Sequence, residues 1–249
     1  MRLVAATVVA LAASASAGVA RPPVALIASP SHISLAGSGR ATVSVTNSGS
    51  EAVDVDVTRS GLALDLRGRP RVVSRRGSWL GITPRRLTLA PGATGALAVA
   101  SEVPVGAEPG DHSELVLLTS GPPSGGGLPV RVRLGVVVVV RSPGRVVHRL
   151  DPVRLRERRA GRARVVELLL ANRGNVTETV GGSCPLLWLH RGGRIIARLR
   201  ALERPILPHT SGLVEIRYAG SARGRLAVRI APASGDCPHI ASREVLMTF

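Results

Sequence analysis

Between Val130 and Val140 every even position is aliphatic (Val130, Val132, Leu134, Val136, Val138 and Val140), while the odd positions run Arg131, Arg133, Gly135, Val137, Val139 and Arg141. A two-residue repeat puts one set on each side of an extended chain, and winding it into a helix would scatter the apolar set around the axis. The same period recurs along most of the sequence. Val43 and Val45 alternate with Thr42, Ser44 and Thr46, and Val53, Val55 and Val57 with Asp54, Asp56 and Thr58. Further on, Val214, Ile216 and Tyr218 alternate with Glu215 and Arg217, and Leu226, Val228 and Ile230 with Arg225, Ala227 and Arg229. No stretch of a dozen residues carries a helical stripe, so the chain reads as all-β.

Turn residues divide these runs. Asn47-Ser48-Gly49-Ser50 between the first two predicts a hairpin of Ala41–Thr46 with Val53–Thr58, and Pro91-Gly92 joins Leu87–Ala90 to Thr94–Ala100 in a second strand-turn-strand unit. Pro109-Gly110 leads into Ser113–Thr119, and the run from Gly121 to Gly127 is a loop. Arg191-Gly192-Gly193 predicts a hairpin of Leu186–His190 with Arg194–Leu199, its glycines taking positive φ. Strands arrive about every 8–12 residues, which is sandwich spacing. Ser142-Pro143-Gly144 interrupts the pattern. The expected organisation is two tandem immunoglobulin-like sandwiches, residues 21–141 and 146–249, joined by a linker at 142–145.

Arg2 precedes an apolar run from Leu3 to about Ala13, and Ala15-Ser16-Ala17 supplies small residues at the −3 and −1 positions of a cleavage site, so residues 1–17 read as a secretory signal peptide. The mature chain is then expected outside the cytoplasm, secreted or at the cell surface, with no membrane-spanning segment. Two Cys, Cys184 and Cys237, lie 53 positions apart. In an oxidising compartment an even pair is most simply one disulfide within the second sandwich. A zinc reading using His190 and His239 lacks a tight CxxC or HxxxH pair, so no metal and no cofactor is expected.

The chain has no Lys, and its 33 basic residues are all Arg, set against 16 acids for a formal charge of +17. The charge is uneven: 13 Arg against 8 acids in 21–141, net +5, and 19 against 8 in 142–249, net +11. Such a field draws acidic partners in a salt-dependent way. Abundant Ala, Gly, Pro and Val beside Arg point to GC-rich coding as one source of the excess. Four aromatic residues in the whole chain exclude a base-stacking platform, and no specific nucleic-acid partner is expected. The run Arg154, Arg156, Arg158, Arg159, Arg162 and Arg164 is a candidate anion patch, with the solvated face of a hairpin as the plainer alternative. Trp188 shares strand parity with Cys184 and is expected to pack on the disulfide, while Trp79 reads as core. Asn175-Val176-Thr177 fits a glycosylation acceptor. The six His form no Ser-His-Asp or HExxH pattern, so the chain reads as non-catalytic.

Pro84-Arg85-Arg86-Leu87-Thr88-Leu89-Ala90-Pro91-Gly92, followed by Val103-Pro104 and Pro109-Gly110-Asp111-His112, resembles the immunoglobulin-like N-terminal domain of WxL-interacting bacterial cell-surface proteins. Related spacing occurs in periplasmic pilus chaperones and other PapD-like sandwiches. Leu168-Leu169-Leu170-Ala171-Asn172 and Leu207-Pro208-His209-Thr210 are similar to the companion domain of those surface proteins. The resemblance implies a binding or scaffold role at the cell surface, engaging anionic cell-wall polymer or partner surface proteins. The surface proteins usually continue into a C-terminal membrane helix, which is not expected here. The alternative is a secreted pilus-type chaperone that braces partner subunits by strand addition. Such chaperones hold a subunit's terminal carboxylate with an Arg and Lys pair, and this chain has no Lys, but the strand ending at Arg141 matches their subunit-bracing strand in position. A wall-active enzyme ranks third. Val137 and Val139, opposite the core set, are expected to need cover from the second domain, another strand or a partner, with Arg131, Arg133 and Arg141 framing that seam.

Overall fold

The period-two runs become strands in the computed structural model, which describes residues 22–74, 78–121, 131–161, 163–220, 224–230, 237–241 and 243–249. The export segment 1–17, the loop residues 122–127, Val130 and Arg162 lie outside them. Every regular element among the described residues is a strand.

The first half contains β1 (Leu26–Ser29), β2 (His32–Ala36), β3 (Arg40–Asn47), β4 (Val53–Leu64), β5 (Pro70–Val73), β6 (Leu80–Thr83), β7 (Arg86–Leu89), β8 (Thr94–Ser101), β9 (Gly110–Ser120) and β10 (Arg133–Ser142). One sheet runs β1-β3-β8-β6 and the other β2-β10-β9-β4-β5, with β7 also paired to β4. Their inner faces meet in one core, in which Val43, Val45, Val55, Leu97, Val99, Val116, Leu118, Val136 and Val138 are fully buried. The even set of the long strand is therefore core from Val136 onward, as its parity requires. Trp79 packs against the same core, and its backbone N–H and the Ser78 hydroxyl donate to the buried Glu114.

The expected hairpin of residues 41–58 does not form. β3 pairs with β1 and β8, whereas β4 pairs with β9, β5 and β7, so Asn47–Ser50 carries the chain from one sheet to the other. Asn47 is fully buried at this crossing and donates through Nδ2 to Glu51 O (2.7 Å) and Leu89 O (3.1 Å). Its backbone binds the Pro91-Gly92 turn, Asn47 O accepting Gly92 N–H (2.8 Å) and Asn47 N–H donating to Ala93 O (3.0 Å); there Gly92 takes φ 75° and the chain crosses back from β7 to β8. The same local turn chemistry serves a hairpin and a crossing. A buried side chain with distant backbone partners is what distinguishes them here.

The second half contains β11 (Leu150–Ala160), β12 (Ala163–Asn172), β13 (Glu178–Val180), β14 (Leu187–Arg191), β15 (Arg194–Leu199), β16 (Arg204–Ile206), β17 (Ser211–Tyr218), β18 (Arg225–Ile230) and β19 (Glu244–Thr248). Its sheets are β11-β12-β17, β13-β16 and β15-β14-β18-β19. Their core is built from Val166, Leu168, Leu170, Leu187, Leu189, Val214, Ile216, Leu226 and Val228, and it shares no residue with the first. The β14–β15 hairpin forms as expected, with Gly192 and Gly193 both at positive φ.

Cys184 and Cys237 are bonded. The bridge joins the β13–β14 connection to the β18–β19 connection rather than two core strands. Trp188 is outside the core cluster; it is partly buried, with its indole Nε1 buried and the Arg198 guanidinium 5.7 Å from the ring centroid.

Candidate functional site

β10 has two different neighbours along its length. β9 pairs with all of it, Arg133 to Ser142, while β2 runs parallel to it only from Val137 to Arg141. The cause lies in the N-terminal strand, which first pairs with β3 as β1, breaks at Pro30, and resumes on the other sheet as β2. Proline has no N–H to give a ladder, so the break falls there. Backbone groups alternate sides along a strand. The carbonyl of Val132 accepts from Ser120 N–H on the β9 side (2.9 Å), whereas Val137 N–H donates to Ser31 O on the β2 side (3.0 Å). Arg133 and Gly135 thus aim N–H and C=O away from β9, and among the described residues no strand meets them. This is a short open edge in the middle of a sheet, flanked by the half-buried Val132 and Leu134, which pack on the core from the inner face.

Val137 and Val139 lie elsewhere. They are half-buried and lie between β9 and β2, which pair with them on either side. On their outer face they continue a strip with Leu115 and Leu117, which are 4% and 7% exposed. Gly135 lies beside this strip, where a Cβ would stand in ordinary contact with Leu115 Cδ2 (3.5 Å) and Leu117 Cδ2 (3.8 Å). The three arginines do not frame one seam. Arg131 and Arg133 are exposed at the open end of β10, about 26 Å of strand from Arg141.

Arg141 instead braces the Asp111 carboxylate at the joint between the two halves. It grips Asp111 with Nε (2.7 Å to Oδ1) and Nη2 (3.0 Å to Oδ2), and the same carboxylate accepts Thr177 N–H from the second half (2.8 Å). Burial alone would push the Asp111 carboxyl up, but these donors outweigh it and hold it below its ordinary value. Asn175, read from sequence as a glycosylation acceptor, belongs to this joint: Nδ2 donates to Pro109 O and Arg145 O, each at 2.8 Å, and Oδ1 accepts Val147 N–H. Both of its amide hydrogens are thus engaged across the joint. Beside it a cleft of about 250 Å³ opens between Leu62, Leu64 and His112 of the first half and Leu207–Thr210 of the second. His209, at φ 58°, faces Glu108 across it at 3.2 Å.

The Arg run sits on the β11–β12 hairpin, and the structure separates its members. Arg156 and Arg158 both bind Glu167, at 2.5 and 2.6 Å, and Arg158 also reaches Glu215 at 2.8 Å. Burial pushes Glu167 up, and the two guanidiniums more than reverse that. Arg164 pairs with Glu157 at 3.2 Å and lies over the Phe249 ring. Arg154 and Arg159 remain exposed. A spacing of two gathers Arg154, Arg156 and Arg158 on one face, but the carboxylates that engage two of them come from β12 and β17, which spacing does not reveal.

No family model matches the sequence, and no curated protein matches it. Solved structures do match in fold. The chain is similar to a chain of the chaperone–tip adhesin complex of CFA/I fimbriae biogenesis, at 12% identity, covering 89% of this chain and 98% of that one with a TM-score of 0.51. It is likewise similar to the class 5 fimbriae chaperone CfaA, at 13% identity and the same coverage, with a TM-score of 0.52. The fold is thus the two-domain, all-β PapD-like fold of fimbrial chaperones. These neighbours correct the expectation of a cell-surface scaffold engaging wall polymer, because the architecture it rested on is that of pilus chaperones. Of the sequence resemblance, the PapD-like part stands, and the likeness to WxL-interacting proteins has no structural counterpart in these findings. No helix among the described residues is long and apolar enough to cross a membrane.

Proposed function

We propose that this protein is a secreted, non-catalytic chaperone of the pilus type, which acts after export directed by residues 1–17 and holds partner surface subunits by strand addition. The observation that carries the reading is the open edge of β10. Strand addition needs a row of unpaired backbone groups beside a paired and rigid ladder, and Arg133 and Gly135 supply it while β9 fixes the strand from the other side. Val132 and Leu134, two residues apart on the inner face, would pack beside the incoming strand, and Arg131 and Arg133 would meet acidic groups on its rim. Likeness in fold to a chain from a chaperone–tip adhesin complex supports the same direction.

Gly135→Pro tests this reading. It deletes one N–H aimed at the partner and leaves every bond to β9 in place, because those belong to the even-numbered residues; proline is tolerated on strand edges for that reason. Co-expression with an immunoglobulin-like subunit lacking one strand, read by co-purification, is expected to lose the complex while the melting point of the protein stays within a few degrees. Amide exchange at Arg133 should also slow when wild-type protein carries the subunit. Unchanged capture by the proline variant would refute strand addition at this edge.

A further inference from the structure

A groove of about 940 Å³ runs between the β4–β5 turn of the first half and strands β16 and β17 of the second. The turn is docked there by its backbone, Leu213 N–H donating to Leu66 O at 2.6 Å. Under it lies Arg204. Its guanidinium donates to Leu66 O (3.3 Å) and to Leu213 O, it is only partly exposed, and its Nε is buried with no acceptor. No carboxylate among the described residues forms an ion pair with it. Burial accordingly pushes Arg204 below the ordinary arginine value.

Other guanidiniums converge on the same space. Arg67 from the turn and Arg158 from β11 both approach Glu215 Oε1, at 3.7 and 2.8 Å, so cations from the two halves share one carboxylate oxygen. Arg69, Arg200 and Arg217 stand exposed on the rim, with no ion pair among the described residues. Six guanidiniums therefore line the groove against two carboxylates, Glu203 and Glu215. Like charges brought within a few ångströms at a protein surface repel by roughly 1–4 kcal/mol per pair, and an anion between them reverses the sign. The Arg-rich composition accounts for many guanidiniums on the surface. It does not account for one that is half-buried, short of an acceptor and surrounded by five more.

We propose that this groove binds a small polyanion carrying two or more carboxylate or phosphate groups. The guanidinium fork suits either group, since both offer paired oxygens to two parallel N–H donors. The volume falls in the range of ordinary small-molecule sites. Because Arg67 and Arg69 come from one half and Arg200, Arg204 and Arg217 from the other, the bound anion ties the halves together at a point separate from the Asp111 joint. The site is independent of strand addition and survives if that reading fails.

The test is calorimetric titration of the purified protein with citrate and with tripolyphosphate, at ionic strength held constant with sodium chloride. Saturable one-to-one binding of at least one probe is expected. Binding of citrate alone assigns a carboxylate ligand, of tripolyphosphate alone a phosphate ligand, and of both a general oxyanion site. Arg204→Met should abolish binding. The double variant Arg200→Gln with Arg217→Gln changes only exposed side chains, so it keeps its fold, and it should weaken binding at least tenfold. Arg85→Gln, an exposed arginine outside the groove, should leave binding unchanged. Binding of neither probe overturns the site, and so does an equal loss in the Arg85→Gln control, which would mark the effect as net charge alone.

Discussion

Replacing Asp111 by Asn leaves the size of the side chain almost unchanged and removes the charge at the joint between the two halves. The carboxylate is 3% exposed and accepts three N–H donors, two from Arg141 and one from Thr177. An Asn amide can accept at one oxygen only, and its NH2 group must then face a donor. Hydrogen bonds to a charged group contribute about 1.5–3 kcal/mol each, but Arg141 is 51% exposed and recovers much of its share from water, so the loss is about 2–3 kcal/mol in total. The pH dependence follows from the direction of the shift. Asp111 titrates lower in the folded protein than in the unfolded chain, so its stabilisation is complete above the ordinary carboxylate pKa of about 4 and disappears as pH falls through the lower folded value. Urea unfolding of wild type and Asp111→Asn should therefore differ by a constant amount near neutrality, and the two curves should converge below about pH 4. Amide exchange at Thr177 should quicken in the variant. A difference under about 0.5 kcal/mol at pH 7, or one that persists undiminished in strong acid, would refute the account.

We further propose that residues 21–141 and 146–249 unfold as separate units; heating the intact protein should then give two transitions, and limited proteolysis should cut near 121–127 or near 142–146. Reducing the Cys184–Cys237 bond should lower only the transition of the second unit, by about 4 kcal/mol from the 53-residue separation, and two free thiols in the exported protein by alkylation would contradict the bridge. Gly110→Ala should destabilise the joint by more than about 2 kcal/mol, since Gly110 has φ 118° and its Cβ would collide with the Asn175 carbonyl. A variant as stable as wild type in denaturant titration would show that the two halves slide apart without penalty.

Parity was the strongest guide in the sequence. Val136, Val138 and Val140, Val214 and Ile216, and Leu226 and Val228 all face their cores as alternation demands, because burial of one face fixes the register of a strand. Alternation is silent about which strand lies alongside. For that reason the turn residues at 47–50 predict a hairpin of 41–58 that the sheets do not contain, and the sequence leaves the cover of Val137 and Val139 open between the second domain, another strand and a partner. The open edge at Arg133 and Gly135 is equally hidden, since it depends on where β2 begins, some hundred positions earlier in the chain. Glu167 and Asp111 escaped notice for a related reason: single acids among many Arg become meaningful only once folding buries them beside two guanidiniums or a guanidinium and a backbone donor.

The change of sheet at Pro30 works as a length gauge. Four residues of the N-terminal strand accompany β3 and five accompany β10, and whatever β2 does not reach is left free. Removing residues in twos from the start of β2 would keep every inward side chain inward and extend the gap along β10 by the same number of positions; inserting two would close it. The width of the open edge is thus encoded in a different segment from the strand that carries it, so it can change while Arg133 and Gly135 stay the same.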